Sequence, residues 1–436
     1  MRKECSRLGW FLLGFLVLCS TTVMPVVLAE TVLTVHDWSG GTETYGEIMK
    51  ELAAAFEAEH PSVQVELVNA GSWGACMEKI PVMAAAGVAP DAFLTLHRAW
   101  NSFLRMGIVA DMTPYVQRES RLIKSFVPPV AEHVQQNGKI WGIPEAWNVW
   151  LAHVNRDAFD NAGLGQPDDL YQASQWNFET LTGVAAKLTK YGADDKPEQI
   201  GLITNGDNEV SYPWVWGYGE DVFSADGKQV FLNRTGVRQG YQFFADLLNA
   251  HRIANIINTP NGVGWGGFTG GKWGLAFWWS DIMLHLNSAW QLPYEFDILP
   301  FPAGPVSDKT NLIGLINAWT INSASPNKDL AWEFIKLATS SEIDAIRVQR
   351  LNALPTHTKN IRIAVDHLGK EANVDNLLLV LNAMNTQARA YPSVLDLRIT
   401  EELTKQLDPV WLGQRALPEA LEDAQRTITQ MISELK

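Results

Sequence analysis

The sequence predicts a two-lobed α/β protein, and three observations carry that expectation. The chain has 436 residues, more than one hydrophobic core usually holds. Short apolar runs alternate with amphipathic runs at helical spacing along most of its length, the pattern of strands and helices packed in layers. Midway, the segment from Gly138 to Phe159 reads as a short strand, a rigid turn at Ile143-Pro144, and a second strand ending at Asn155-Arg156-Asp157. Proline fixes its own φ and pushes the preceding residue into an extended conformation, so the chain crosses stiffly from one unit to the next. Trp141, Trp147 and Trp150 crowd this crossing, with Glu145 and Asn148 between them, a mixture that suits a cleft between lobes better than a uniform core.

The elements follow in order. Arg2, Lys3 and Arg7 precede an uncharged run from Leu8 to Ala29, and Val27-Leu28-Ala29 offers a small residue for cleavage before Glu30. This is the pattern of a secretory signal peptide over residues 1–29. The run is also long enough for an uncleaved anchor, although Pro25 would break such a helix near the cleavage site. Cys19 offers lipid attachment, but Leu18 stands where lipoprotein signals carry a small residue. The expected location is the periplasm, after secretion across the cytoplasmic membrane, or a membrane-associated extracellular position if the segment stays uncleaved or is lipidated. Cys5 and Cys19 lie in this segment, so Cys76 is alone in the remainder, where it can form no internal disulfide and no cysteine metal cluster. A small buried residue is expected there.

Thr31–His36 suits a buried parallel strand, and Thr44 with Glu47 reads as a capping box opening a helix through Met49, Leu52, Ala53 and Phe56 that stops at His60-Pro61. Val63, Val65 and Leu67 alternate as the next strand, completing a right-handed βαβ unit. Asp91–Leu96 is another apolar strand, with Asp91 expected to anchor backbone amides at its start. Beyond the crossing, Asn177 caps a helix carrying Leu181, Val184, Ala185 and Leu188. Residues 271–279 read as a buried strand ending in aromatics. Ser325-Pro326 caps a helix through Leu330, Phe334 and Leu337, and the tail from Pro418 is helical, with Leu421, Ala424, Ile428 and Met431 on one face.

Composition excludes several function classes. Apolar residues at 47% and charged residues at 19% describe a soluble globular chain. The net charge is −14; without residues 1–29, which hold Arg2, Lys3, Arg7 and Glu4, 31 basic residues face 47 acidic ones, or −16. Such a surface repels phosphate backbones and anionic headgroups, so nucleic acid is not expected as a partner. Gly266, Gly271 and Lys272 imitate a phosphate-binding loop, but Trp273 replaces the magnesium-holding hydroxyl and a strand follows where a helix is required. No G-x-S-x-G elbow and no H-E-x-x-H pair occurs. No catalytic residue, metal or cofactor is expected.

In open α/β sheets ligands sit beyond the carboxyl ends of the strands. Those ends carry His36 to Gly41 after the first strand, His97-Arg98 after the strand from Asp91, and Trp278-Trp279-Ser280-Asp281 after the late one. A sugar needs this mixture: its C–H face packs on a flat ring, while vicinal hydroxyls take hydrogen bonds from amide, carboxylate or guanidinium groups. Most of the 18 tryptophans are expected to pack in cores; for Trp38, Trp278 and Trp279, beside polar strand ends, packing and ligand stacking stand on equal footing.

The chain resembles the extracellular solute-binding proteins of ABC importers, and within them the maltose-binding group. The resemblance rests on Gly138-Lys139-Ile140-Trp141-Gly142-Ile143-Pro144 followed by Asn155-Arg156-Asp157. It extends through residues 54–61, 86–91, 107–114, 298–302 and 321–334, and Pro418 to Leu421. It implies a periplasmic-binding-protein type II fold: α/β, two-lobed, with hinge and interlobe cleft. The lobes would be discontinuous, 30–145 with 300–345 and 146–299 with 346–436. Family cleft positions would fall at Trp38, Ser39, His97, Arg98, Asn148, Trp278, Trp279, Ser280, Asp281, Gly314, Asn317, Trp319, Tyr391 and Arg398. The implied function is capture of a carbohydrate by a monomer, without enzymatic activity, for delivery to the ABC permease. Arg98 and Arg398 are unusual for a neutral sugar, so a polyol, sugar acid or glycerophosphate stays open. A secreted glycosidase is the enzyme rival, but it needs a pair of carboxylic acids and the sequence shows no placed pair; a polyamine or chelated-metal site would be richer in carboxylates or metal ligands.

Overall fold

The computed structural model describes residues 31–36, 43–71, 73–119, 121–205, 211–257, 259, 263–280, 292–306, 312–371, 375–390 and 396–435. The segment expected to be a signal peptide lies outside them. The strands among the described residues are β1 Thr31–His36, β2 Val63–Val68, β3 Ala92–Thr95, β4 Gln135–Gln136, β5 Lys139–Ile140, β6 Ile143–Asn155, β7 Lys190–Tyr191, β8 Pro197–Thr204, β9 Ala254–Ile256, β10 Trp273–Trp279, β11 Phe296–Leu299, β12 Leu312–Ile321 and β13 Ala388–Ala390. Their hydrogen-bonded order is β2-β1-β3-β12-β6-β10-β8-β7, with β11 on β6, β13 on β12 and β9 on β8. β4 and β5 pair separately.

Apolar side chains collect in two large clusters on this framework. One lies over β1, β2 and β3 with helices Glu43–Glu59 and Lys328–Ala338, and holds Leu33, Val35, Phe56, Leu94 and Phe334. The other lies over β8, β10 and β11 with helices Phe178–Leu188, Thr235–Ala245 and Leu397–Trp411, and holds Leu202, Leu275, Phe244, Ile298 and Leu407. Two strands belong to both. Ile143 of β6 with Trp319 and Ile321 of β12 lies in the first cluster, whereas Val149, Leu151, Leu312 and Ile316 lie in the second. These are the two α/β lobes the alternating pattern predicts, joined by antiparallel strands that run through both.

Most elements lie where the periodicity puts them. β1 and β2 pair in parallel across helix Glu43–Glu59. Asn177 accepts the backbone N–H groups of Glu179 and Thr180 in a capping box. Asp91 accepts the Thr34 N–H and hydroxyl at 2.9 Å each and the Ser325 hydroxyl at 2.6 Å, tying β1 and the chain beyond β12 to the start of β3. Cys76 is buried, and burial pushes its thiol up to about 12.

Three local expectations are corrected. The first helix starts at Glu43, so Thr44 lies inside its first turn and is not its cap; acidic Glu43 sits at the positive helix end instead. The late helix starts at Lys328 with Asn327 as N-cap, because the Ser325 hydroxyl accepts the Asn327 N–H at 2.9 Å and hands its own proton to Asp91. Finally, Ile143-Pro144 is no turn: β6 runs unbroken from Ile143 to Asn155. Pro144 is tolerated because the β6–β12 register shifts there, with Asn317 opposite Ala146 and Ala318 opposite Pro144. Such a bulge relieves the ladder of the N–H that proline lacks.

The bulge leaves Glu145 turned to the back of the crossing. It is buried and paired with Arg347 at 3.1 Å, and it accepts the Tyr45 hydroxyl at 3.2 Å. Burial raises its carboxyl above the ordinary range while Arg347 and Tyr45 pull it back. Trp147 follows on the same face and donates its indole N–H to the Pro355 carbonyl at 3.1 Å. The segment from Asp344 to His357 is thereby strapped across the back of the two shared strands.

Candidate functional site

The opposite face of the crossing is open. Side chains alternate along a strand, so Ala146 and Asn148 face away from Glu145 and Trp147. They are the half-exposed positions in an otherwise buried β6. β12 brings Asn317 opposite Ala146 and Leu315 opposite Asn148, and Asn317 is the half-exposed position of that strand. The crossing therefore carries a floor with two carboxamides, Asn148 and Asn317, between the two apolar clusters. Both carboxamides are half-exposed at the junction of the two lobes, where amide groups can give and receive hydrogen bonds.

His97 and Arg98 border this floor, on the short turn that follows β3. The Asn317 side chain faces the His97 ring. Burial drives the His97 imidazole well below its usual pKa; the charges of Arg98 and His133 push the same way and Asn317 opposes them. At neutral pH His97 is uncharged, with one nitrogen to give a hydrogen bond and one to receive it. Neutral imidazole, two carboxamides and the half-buried Arg98 form a set suited to hydroxyl groups.

β10 supplies the far side. It pairs antiparallel with β6, setting Trp279 opposite Trp150 and Trp278 opposite Leu151. Ser280 is fully buried, and its hydroxyl accepts the Val149 N–H at 3.3 Å, which fixes the end of β10 beside Asn148. The two indoles are mostly packed. Trp279, 7% exposed, meets Trp150 edge-on at 4.7 Å, while Trp278, 3% exposed, lies 5.6 Å from both Phe268 and Trp265. Gly314 pairs with Ala390 of β13.

Of the remaining sequence-derived positions, two are placed elsewhere. Trp319 is 1% exposed in the first core, edge-on to Phe334 at 5.9 Å, because β12 has by then entered the first lobe. Arg398 holds Asp396 with Nε and Nη2 at 2.9 Å each. Trp38, Ser39, Asp281 and Tyr391 lie outside the described residues. The structure thus gathers His97, Arg98, Asn148, Ser280 and Asn317 around the crossing, with Trp278, Trp279 and Gly314 adjoining.

Sequence reasoning missed one group. Beyond the carboxyl end of β8, helix Tyr212–Gly217 carries Trp216, over whose ring the Arg389 guanidinium sits at 5.2 Å beside β13. The run Tyr212-Pro213-Trp214-Val215-Trp216 was its signal, an aromatic cluster after an apolar strand. Trp147 and Glu145, expected to line the cleft, belong to the packed side instead, and Trp150, on the face of Asn148, is fully buried against Trp279. Among the described residues no group of His, Cys, Asp and Glu is arranged to hold a metal ion, and no helix is long and apolar enough to cross a membrane.

Comparison with known proteins fits this architecture. A binding protein of Brucella abortus (strain 2308) is 22% identical over 412 residues, covering 91% of each chain. An ABC substrate-binding protein from Listeria monocytogenes, solved in complex with cycloalternan, superimposes with a TM-score of 0.77 at 19% identity over 92% of this chain and 99% of that one. The maltose/maltodextrin-binding domain of Bdellovibrio bacteriovorus, bound to maltotriose, gives 0.72 at 18% identity over 92% and 100%. The family described as bacterial extracellular solute-binding protein matches residues 40–345, most of the chain, and the protein belongs to that family.

Proposed function

We propose that this protein is the carbohydrate-binding component of an ABC importer: it captures a mono- or oligosaccharide between its lobes and delivers it to the permease. The observation that carries the reading is the pair of half-open carboxamides, Asn148 and Asn317, beside a neutral His97 at the point where both shared strands cross. Planar amides and an uncharged imidazole match vicinal hydroxyls, and the indole-rich end of β10 adjoins them. The likeness to structures solved with cycloalternan and maltotriose supports the same class of ligand. The lobes would divide as 30–145 with 300–345 and 146–299 with 346–436, residues 1–29 acting as a secretory signal. The protein would act as a periplasmic monomer without catalysis. Arg98 at the floor favours a second reading, a sugar acid or phosphorylated polyol.

Titration calorimetry against maltodextrins, manno-oligosaccharides, polyols, sugar acids and glycerophosphate tests this directly. Asn148→Ala and Asn317→Ala are each expected to weaken the best ligand about tenfold, the worth of one well-made hydrogen bond, with unchanged thermal unfolding. Binding as tight as the parent's in both variants, or silence across the whole panel, would sink the assignment.

A further inference from the structure

Asp396 makes a contact that the capture of a ligand does not itself require. It is the N-cap of helix Leu397–Trp411, which buries Ile399, Leu403 and Leu407 in the second cluster. Its Oδ1 accepts the Arg398 backbone N–H at 3.1 Å and the Arg398 Nε at 2.9 Å, and its Oδ2 accepts Arg398 Nη2 at 2.9 Å. The carboxylate is thus fixed within its own lobe, with its side chain 10% exposed. Yet Oδ2 also accepts Nη2 of Arg105 at 2.9 Å. Arg105 belongs to helix Trp100–Met106, whose Phe103 packs with Phe93 and Leu96 behind β3, on the first-lobe side. The two partners are 291 residues apart in sequence.

We propose that Arg105 and Asp396 form a latch between the lobes that sets how far the ligand-free protein closes, with Arg398 as the positioning residue that holds Asp396 ready. The proposal rests on the reading of two lobes that swing about the β6–β12 crossing. The division of labour follows from the geometry. Arg398 engages both carboxylate oxygens from two residues away, so Asp396 loses little freedom when Arg105 arrives. A preorganised carboxylate with a guanidinium donor makes a short, directional, charge-assisted bond. With Arg105 about one third exposed the bond is screened by salt, so the latch favours the closed arrangement without locking it. A pair of this exposure shifts the open-to-closed ratio by about fivefold. Because a ligand's apparent affinity scales with the fraction of protein already competent to hold it, Asp396 and Arg105 tune capture without touching the sugar.

The test reads interlobe distance rather than activity. Spin labels on Val82→Cys and Leu412→Cys, both exposed and on opposite lobes, report the separation, while buried Cys76 stays unlabelled. In ligand-free protein at low salt, the parent is expected to show a minor short-distance population beside the open one. Arg105→Glu and Arg105→Gln are expected to lower that short-distance population about fivefold, and 0.5 M salt is expected to lower it in the parent but not in Arg105→Gln. Identical distance distributions in parent, Arg105→Glu and Arg105→Gln at both salt concentrations overturn the latch. Silent calorimetry with the saccharide panel, together with wider Arg105 variants, would remove the carbohydrate reading and leave the latch standing. Sugar-driven closure together with unchanged variants would do the reverse.

Discussion

His36 and His153 are fully buried and His133 is half-buried beside Trp100, and each is held neutral by desolvation, at about 4, about 3 and about 4 respectively. In the unfolded chain an imidazole takes its proton near 6.5. Below that pH the unfolded state therefore binds protons that the folded state refuses. Their contribution to stability is fully present above pH 6.5 and is lost as the pH falls toward the depressed folded values. His36 and His133 account for about 3 kcal/mol each across that window and His153 for about 5 kcal/mol, enough for acid to threaten the fold as carboxylates also begin to protonate. Urea unfolding between pH 7 and 4 is expected to show a steep fall in stability. His133→Phe, which keeps a ring against Trp100, is expected to flatten that fall while leaving the plateau near pH 7 within about 1 kcal/mol. Parallel curves for parent and variant would show that His133 does not titrate as its burial requires.

Single elements are held by approaches too close for any side chain. Gly201 of β8 lies under helix Phe178–Leu188, and a Cβ there would sit 1.9 Å from the Ala185 carbonyl oxygen. Helix and strand would have to part, so Gly201→Ala is expected to destabilise the protein by about 3 kcal/mol or more. Gly183 on the same helix meets nothing within 4 Å, so Gly183→Ala is expected to be neutral or to stabilise by about 0.5–1 kcal/mol. Denaturant midpoints that fell equally for both would refute the close packing. The elements themselves were legible because local patterns decide them: Leu33 and Val35 in an apolar run, and Asn177 before a helical period. What escaped depends on distant chain. Pro144 reads as a turn until β12 supplies the register shift that accommodates it, and Arg105 gives no hint of a partner 291 residues away. The site divides along the same line. Asn148 and Asn317 stand out as polar interruptions in strands, whereas an indole at a strand end looks the same whether it packs, as Trp319 does, or faces a ligand. Arg398 was locally legible in retrospect, since Asp396 two residues before it is a capping acid.

At the scale of the molecule, bending is expected where both cores end. Ala146 and Asn317 face each other at the register shift and belong to neither large cluster, with the segment from Asp344 to His357 bonded behind them. A ligand seated on Asn148, Asn317 and His97 touches groups on either side of that point, so it favours closure by its differential contacts alone. Moving such an equilibrium from mostly open to mostly closed takes about 5.5 kcal/mol, and micromolar binding releases about 8 kcal/mol. A sugar of ordinary affinity is therefore sufficient. At a ligand concentration one hundredfold above Kd, mass action adds about 2.7 kcal/mol to the folded state, which for a chain of this length corresponds to a rise in unfolding temperature of about 3–5 °C. Small-angle scattering from the same samples is expected to show a smaller radius of gyration. The two readouts must move together. A thermal rise with unchanged scattering would place the ligand on one lobe alone, and the open carboxamides at the crossing would then have another purpose.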